Sequence, residues 1–186
     1  RNIVSHIADP DEYEAVLTSC GTEADNQALF CGGRRGNIVT TYGEHAAVFS
    51  AANELARRGI EARFAALNPD GGVNVDSLLS LTDGKTSLVS VIHVNNETGA
   101  VNDINAIAAA VKKKNPRTLF HADGVQAYGK IPFRLSQNVD MYSLSAHKIG
   151  GVKGTGALIK RKKLVLSPYI WGGGQEKGLR SGTENV

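Results

Sequence analysis

Short runs of β-branched and apolar residues alternate along the chain with stretches whose apolar positions recur at helical spacing. Residues 15–19, 37–41, 60–67, 86–94 and 117–121 form the first kind of run and predict strands. Ile104, Ile107, Ala108 and Val111 fall at i, i+3, i+4 and i+7 and predict a helix over 103–115. Asp103 can cap its start, Lys112, Lys113 and Lys114 fill its last turn, and Asn115-Pro116 stops it. A second helix is predicted over 44–58, with Val48, Ala51, Ala52 and Leu55 on one face and Gly59 just past its end. A third spans about 22–31 and is cut off by Gly32-Gly33.

Repeated strand–helix–strand units require crossovers, so the expected fold is α/β: a mainly parallel sheet with helices on both faces, three layers in all. Ligands of such folds bind at the carboxyl ends of the strands. After Pro132 the pattern changes, because strands at 140–145 and 155–160 are joined by a loop too short for a helical crossover. One strand there is expected to run antiparallel.

Composition narrows the function classes. The chain has 186 residues, 41% hydrophobic and 21% charged, the mixture of a soluble globular protein with a real core. Its 21 glycines exceed the usual share of about 7% and point to ligand loops. A net charge of +3 is spread over the sequence, so nucleic-acid binding is not expected. The basic run at 112–114 reads as a helix end, and Lys160, Arg161, Lys162 and Lys163 as a solvated hairpin. The two cysteines, Cys20 and Cys31, lie in no CxxC motif, and no apolar run is long enough to cross a membrane, so a cytosolic setting is expected. The chain starts with Arg1 and stops just after a glycine-rich stretch, as a piece of a longer protein would.

The polar residues beyond the strand ends carry the candidate chemistry. Cys20-Gly21-Thr22-Glu23 is a turn into a helix that offers backbone N–H groups and a positive dipole end to phosphate, or a plain Thr22 N-cap. Asn95-Asn96-Glu97-Thr98-Gly99 is a polar turn. Asp123, in His121-Ala122-Asp123-Gly124, can hold a protonated ring nitrogen, bind a metal together with His121, or cap the next turn. Gly124 to Lys130 spells GxxxxGK, but Ile131 stands where a magnesium-binding hydroxyl is needed and Pro132 stops the required helix. Lys148 follows a strand that reads as buried and lies among Gly150, Gly151, Gly154 and Gly156, a setting for an amine nucleophile or for an ordinary lysine reaching water. Together with His45 at a helix start, these residues supply the aldehyde-capturing amine, acid partner, stacking ring and phosphate cradle that pyridoxal phosphate needs.

Six segments, in order and spacing, resemble the large domain of cysteine desulfurases, which are class V, fold-type I pyridoxal-phosphate enzymes. They are residues 18–23, Gly43-Glu44-His45, residues 93–99, 121–126, 143–148 and 178–183, and the likeness runs from about Tyr13 to Val186. The HVNNETG and RSGTENV segments are more similar to the group supplying sulfur for iron–sulfur clusters and tRNA thiolation.

This resemblance implies that Lys148 holds the cofactor as a Schiff base and moves protons, and that His45 stacks on the ring and assists acid–base steps. Asp123 would pair with the pyridine nitrogen, while Gln126 and Asn96 would bond the ring oxygen or substrate side. Thr22, Ser145 and His147 would bind the phosphate, and Thr183 would reach the phosphate of a neighbouring subunit. The implied reaction takes sulfur from L-cysteine, leaves alanine, and passes a persulfide to an acceptor scaffold protein. The implied assembly is a homodimer without membrane or nucleic-acid partners. The family's persulfide cysteine, substrate-carboxylate arginine and small domain would lie beyond Val186, and its N-terminal segment before Arg1, so residues 1–186 correspond to one incomplete large domain. Neither Cys20 nor Cys31 is expected to carry the persulfide. A selenocysteine lyase or other class V enzyme, and a truncated domain without catalysis, are the alternatives.

Overall fold

The computed structural model of the chain describes residues 2–183. In chain order its elements are α1 (Asn2–Ser5), β1 (Tyr13–Thr18), α2 (Gly21–Gly32), β2 (Asn37–Thr41), α3 (Ala46–Arg57), β3 (Glu61–Ala65), α4 (Val75–Leu81), β4 (Thr86–Ile92), α5 (Ile104–Lys114), β5 (Leu119–Asp123), β6 (Met141–Ser145) and β7 (Gly156–Arg161). The strands form one sheet in the order β1-β7-β6-β5-β4-β2-β3. β7 runs antiparallel to both of its neighbours, β1 and β6, and the remaining pairs are parallel.

The central strands are apolar on both faces because both are covered. On one side Val16, Ile38, Leu88, Met141 and Leu158 pack under α2 and α3. On the other, Val39, Val89, Val91, Phe120, Ala122 and Tyr142 pack against α1, α4 and α5. Neighbours such as Ile38 and Val39, or Leu88 and Val89, thus enter opposite layers, as the two-residue period of a strand requires. The expected three layers and single antiparallel strand are both present.

Local signals acted as the sequence implied. The Asp103 side chain accepts from the Ala106 N–H at 3.0 Å and caps α5. Gly59 follows α3 with φ +88°, a conformation open to glycine at no steric cost. Two helices lie outside the expected set: α1, and α4, which Asn74 caps by accepting from the Ser77 N–H at 2.8 Å. The expectation of a solvated hairpin over 160–163 fails at Lys160. That residue is 2% exposed, and its ammonium meets Glu14 Oε1 at 2.7 Å across the β1–β7 pair while donating to the Leu164 carbonyl. Every strong donor of this buried cation has an acceptor, which is the condition for keeping it there.

Candidate functional site

A cleft of about 390 Å³ opens at the carboxyl ends of β1, β4, β5 and β6 and the turn after β2. Its size is that of a small-molecule site. Thr22, His45, Asn96, Asp123, Gln126, Ser145, His147 and Lys148 all line it. Of the residues predicted from sequence, only Thr183 is elsewhere, in a smaller cleft with Ser19, Thr155 and Arg180. Glu184, Asn185 and Val186 lie outside the described residues.

One wall is the start of α2. The N-cap is Cys20, with extended backbone and no side-chain cap, so Thr22 is a helical residue and not the cap. Glu23 does not close the helix end either: it accepts from the Ser19 N–H at 2.9 Å and pairs with Arg180 at 2.7 Å. Burial pushes the Glu23 carboxyl up, but the Arg180 guanidinium and the Ser19 donors outweigh it and leave it below its ordinary value. The first N–H groups of a twelve-residue helix therefore face the cleft without a side-chain cap, an arrangement that attracts an anion. Helix and opposite wall approach closely, since a Cβ on Gly21 would stand 2.6 Å from Val125 Cγ2 and 3.3 Å from Ser145 Cβ.

The opposite wall follows β6. Ser145 is buried at the strand end, and its hydroxyl lies 3.0 Å from His147 Nδ1. Residues Ala146–Ile149 make one 3-10 turn closed by Gly150 at φ +81°. Lys148 sits in this turn just past β6, which is buried along its whole length as expected, and is itself exposed on the open wall. It nonetheless shares the cleft with Asp123 and Thr22.

The floor is acidic. Asp123 ends β5, 3% exposed, and Oδ1 accepts from the Val125 N–H at 3.0 Å. Burial raises its carboxyl; the Val125 bond and the neighbouring His45 pull the other way. Asp123 therefore caps its turn and faces the cleft at once. His121, the suggested metal partner, points into the core instead, hydrogen-bonded to Ser90 at 2.8 Å and Ser143 at 2.9 Å. Burial pushes its ring down to about 3, and among the described residues no cluster of three or more His, Cys, Asp or Glu suits a metal ion.

Three further groups are set by local chemistry. His45 caps α3 with Nδ1 accepting from the Ala47 N–H at 3.1 Å, which places the proton of the neutral ring on Nε2. Lys130 donates to Gln126 Oε1 at 2.6 Å, so the Gln126 amide has its N–H groups left for the cleft. Asn95 performs the turn chemistry, accepting from Glu97 and Thr98 and donating to Gly43, and thereby lifts Asn96 into the cleft. Sequence reasoning missed Asp25, which lines the cleft one helical turn from Thr22; that i, i+3 spacing was its only signal.

The site offers an uncapped helix end beside Thr22, Ser145 and His147 for a phosphate, a buried carboxylate for a basic ring nitrogen, and an amine within one cleft. Behind Asp123, Asp25 Oδ1 is buried without a hydrogen-bond partner. These donors and acceptors fit pyridoxal phosphate.

The chain is similar to proteins already known. A cysteine desulfurase of a Nostoc species is 40% identical over 191 residues, covering 100% of this chain and 47% of that protein. Cysteine desulfurase IscS of Rickettsia felis is 38% identical, covering 98% of this chain and 46% of its own. Among solved structures, a NifS-like protein superposes with a TM-score of 0.89 at 42% identity, over 92% of this chain and 49% of that one. SspA in complex with cysteine gives 0.89 at 32% identity, over 98% and 55%. The chain spans about half the length of the curated relatives it matches. The sequence profile of the aminotransferase class-V family matches residues 1–185, and the chain belongs to that family.

Proposed function

We propose that residues 1–186 form the cofactor-bearing large domain of a pyridoxal-phosphate-dependent cysteine desulfurase. The observation that carries this reading is that Lys148, Asp123 and the uncapped start of α2 share one cleft. Thr22, Ser145 and His147 hold the phosphate, Asp123 keeps the ring nitrogen protonated, His45 lies against the ring, and Gln126 and Asn96 donate to its oxygen or to the substrate. Bound pyridoxal phosphate supplies an aldehyde that captures amines and a ring that accepts the electron pair released at the substrate's Cα. Lys148 Nζ supplies the attaching amine and afterwards holds and returns the Cα proton.

In this reading L-cysteine is the substrate, alanine the product, and the sulfur leaves as a persulfide bound for an acceptor scaffold in iron–sulfur or tRNA thiolation chemistry. The name of the Nostoc relative and the cysteine bound to SspA support it. The persulfide cysteine and the arginine for the substrate carboxylate belong, in this reading, to further chain. We place the protein in the cytosol, consistent with free Cys20 and Cys31 and with no described helix long and apolar enough to cross a membrane. Two copies form a dimer in which Thr183 of each reaches the other's phosphate.

The test is to mix the purified chain with pyridoxal phosphate, reduce with borohydride and map the label. Label on Lys148, lost in Lys148→Ala, supports the site; label elsewhere, or undiminished in the variant, overturns it. Sulfide released from L-cysteine supports the substrate. Label without sulfide supports a binding domain that needs further chain, and selenide release in preference to sulfide points to a selenocysteine lyase.

A further inference from the structure

Asp25 stands on α2 and reaches the cleft floor while 1% exposed. Its Oδ1 has no hydrogen-bond partner. His121 Nε2 lies 3.7 Å from that oxygen, beyond hydrogen-bond reach. Nor is that ring a cation, since burial keeps it neutral. The titratable groups that act on Asp25 most strongly are acids, Asp123 from β5, Glu44 from the turn before α3 and Cys20 at the helix cap, while the bases His45, His147 and Lys148 also line the cleft. The neighbouring Ser143 hydroxyl, from β6, acts to lower the carboxyl while lying 2.9 Å from His121 Nε2. An ionised carboxylate in this place would be buried, unpaired and beside another carboxylate, a combination that costs several kcal/mol and is avoided by keeping a proton. Burial first, then the Asp123 charge, hold Asp25 well above the ordinary carboxylate range.

We propose that Asp25 is a positioning residue of this cleft: a neutral, proton-bearing carboxyl that backs Asp123 and leaves Asp123 as the single charged acid facing a cationic ring nitrogen. Two adjacent acids share one negative charge, and the deeper one keeps its proton. No proton passes between Asp25 and the ring. The role toward the ring rests on the cofactor reading above, whereas the charge state of Asp25 stands without it.

Infrared spectroscopy of the chain labelled with carboxyl-13C aspartate tests both. At pH 7, with pyridoxal phosphate bound, one protonated aspartate carbonyl band is expected, present in Asp123→Asn and lost in Asp25→Asn. Asp25→Ala is expected to weaken pyridoxal phosphate about tenfold, and Asp25→Asn, neutral and of the same shape, to regain at least half of that loss. Absence of the band in the loaded wild-type chain, its survival in Asp25→Asn, or an asparagine variant no better than alanine overturns the proposal. If Asp25→Asn does not fold, the loaded wild-type band decides alone. If the wild-type chain binds no pyridoxal phosphate, the cofactor reading fails, and the band of the free chain together with its loss in Asp25→Asn still decides the charge of Asp25.

Discussion

Glu44 shows how one side chain sets both the geometry of the cleft and its cost. Its Oε1 accepts from Thr41 Oγ1 at 2.7 Å and from the Ile92 N–H at 3.0 Å, tying the ends of β2 and β4 to the turn that presents His45. Its Oε2 is buried with no partner. Burial raises this carboxyl most, the two hydrogen bonds oppose it, and the Asp123 charge adds to the rise, so that it is pushed up to about 8. The folded protein then keeps a proton that the unfolded chain has already lost from about pH 4.5 upward. Stability is therefore undiminished below about pH 4.5 and falls progressively until about pH 8, by up to about 5 kcal/mol. Glu44→Gln cannot ionise, so its urea midpoint is expected to match the wild type near pH 4.5 and to exceed it at pH 8. Burial of His93 and His121, pushed down to about 4 and about 3, destabilises both proteins alike in acid and leaves the difference untouched. A constant gap between the two proteins across this range would show that Glu44 does not titrate as its surroundings dictate. Lys148, Asp123 and His45 could be picked out as candidates from residue type and position at the ends of elements, with their ordinary alternatives left open and their roles supplied only by the family resemblance. Asp25 and Glu44 could not, because their importance comes from neighbours brought in by other elements.

At the scale of elements, all seven strands were legible: the central parallel ones, buried on both faces, leave continuous apolar runs, and short runs of β-branched and apolar residues bounded by turns mark the others. α4 was missed although Asn74, Leu78 and Leu79 carry its cap and inner face, because seven residues give barely two turns of periodicity. The misread Lys160 has a different cause: only the pairing of β7 with β1 places Glu14 beside it. The GxxxxGK segment was read correctly as something other than a phosphate loop. A Cβ on Gly124 would lie within about 2 Å of the Tyr142 ring, so this glycine serves core packing. Gly21 has the same kind of constraint at the functional edge. A methyl there meets Val125 Cγ2 at 2.6 Å, so Gly21→Ala is expected to push the start of α2 off the opposite wall and weaken pyridoxal phosphate by about tenfold or more, a loss on the order of 1.4 kcal/mol. Val125→Ala removes the obstructing methyl, and the double variant is expected to recover most of the affinity. Equal affinities for Gly21→Ala with and without the second change would mean that the close approach does not set the phosphate end of the cleft.

For the molecule as a whole, the decisive feature is that Thr183 does not line its own chain's cleft. The segment before it is anchored: Glu176 Oε2 accepts from the Leu17 N–H at 2.8 Å, and Arg180 pairs with Glu23 at 2.7 Å, so Thr183 is presented near the edge strand β1. If Thr183 completes the site of a second copy, cofactor binding and association are linked, and each strengthens the other. Pyridoxal phosphate affinity should then rise with chain concentration in the wild type. It should be independent of concentration in Thr183→Val, which loses a hydroxyl bond to a charged phosphate worth about 1.5–3 kcal/mol. Mixing supplies the sharper measurement. Lys148→Ala retains Thr183, and Thr183→Val retains Lys148, so a mixed dimer has one cleft with both groups and one with neither. Borohydride labelling at limiting pyridoxal phosphate is expected to be absent in Lys148→Ala, weak in Thr183→Val, and restored in the mixture at the level set by the fraction of mixed dimers. Labelling of the mixture that merely averages the two variants would place Thr183 in its own subunit's chemistry, or in none, and the cleft would have to be complete within one chain.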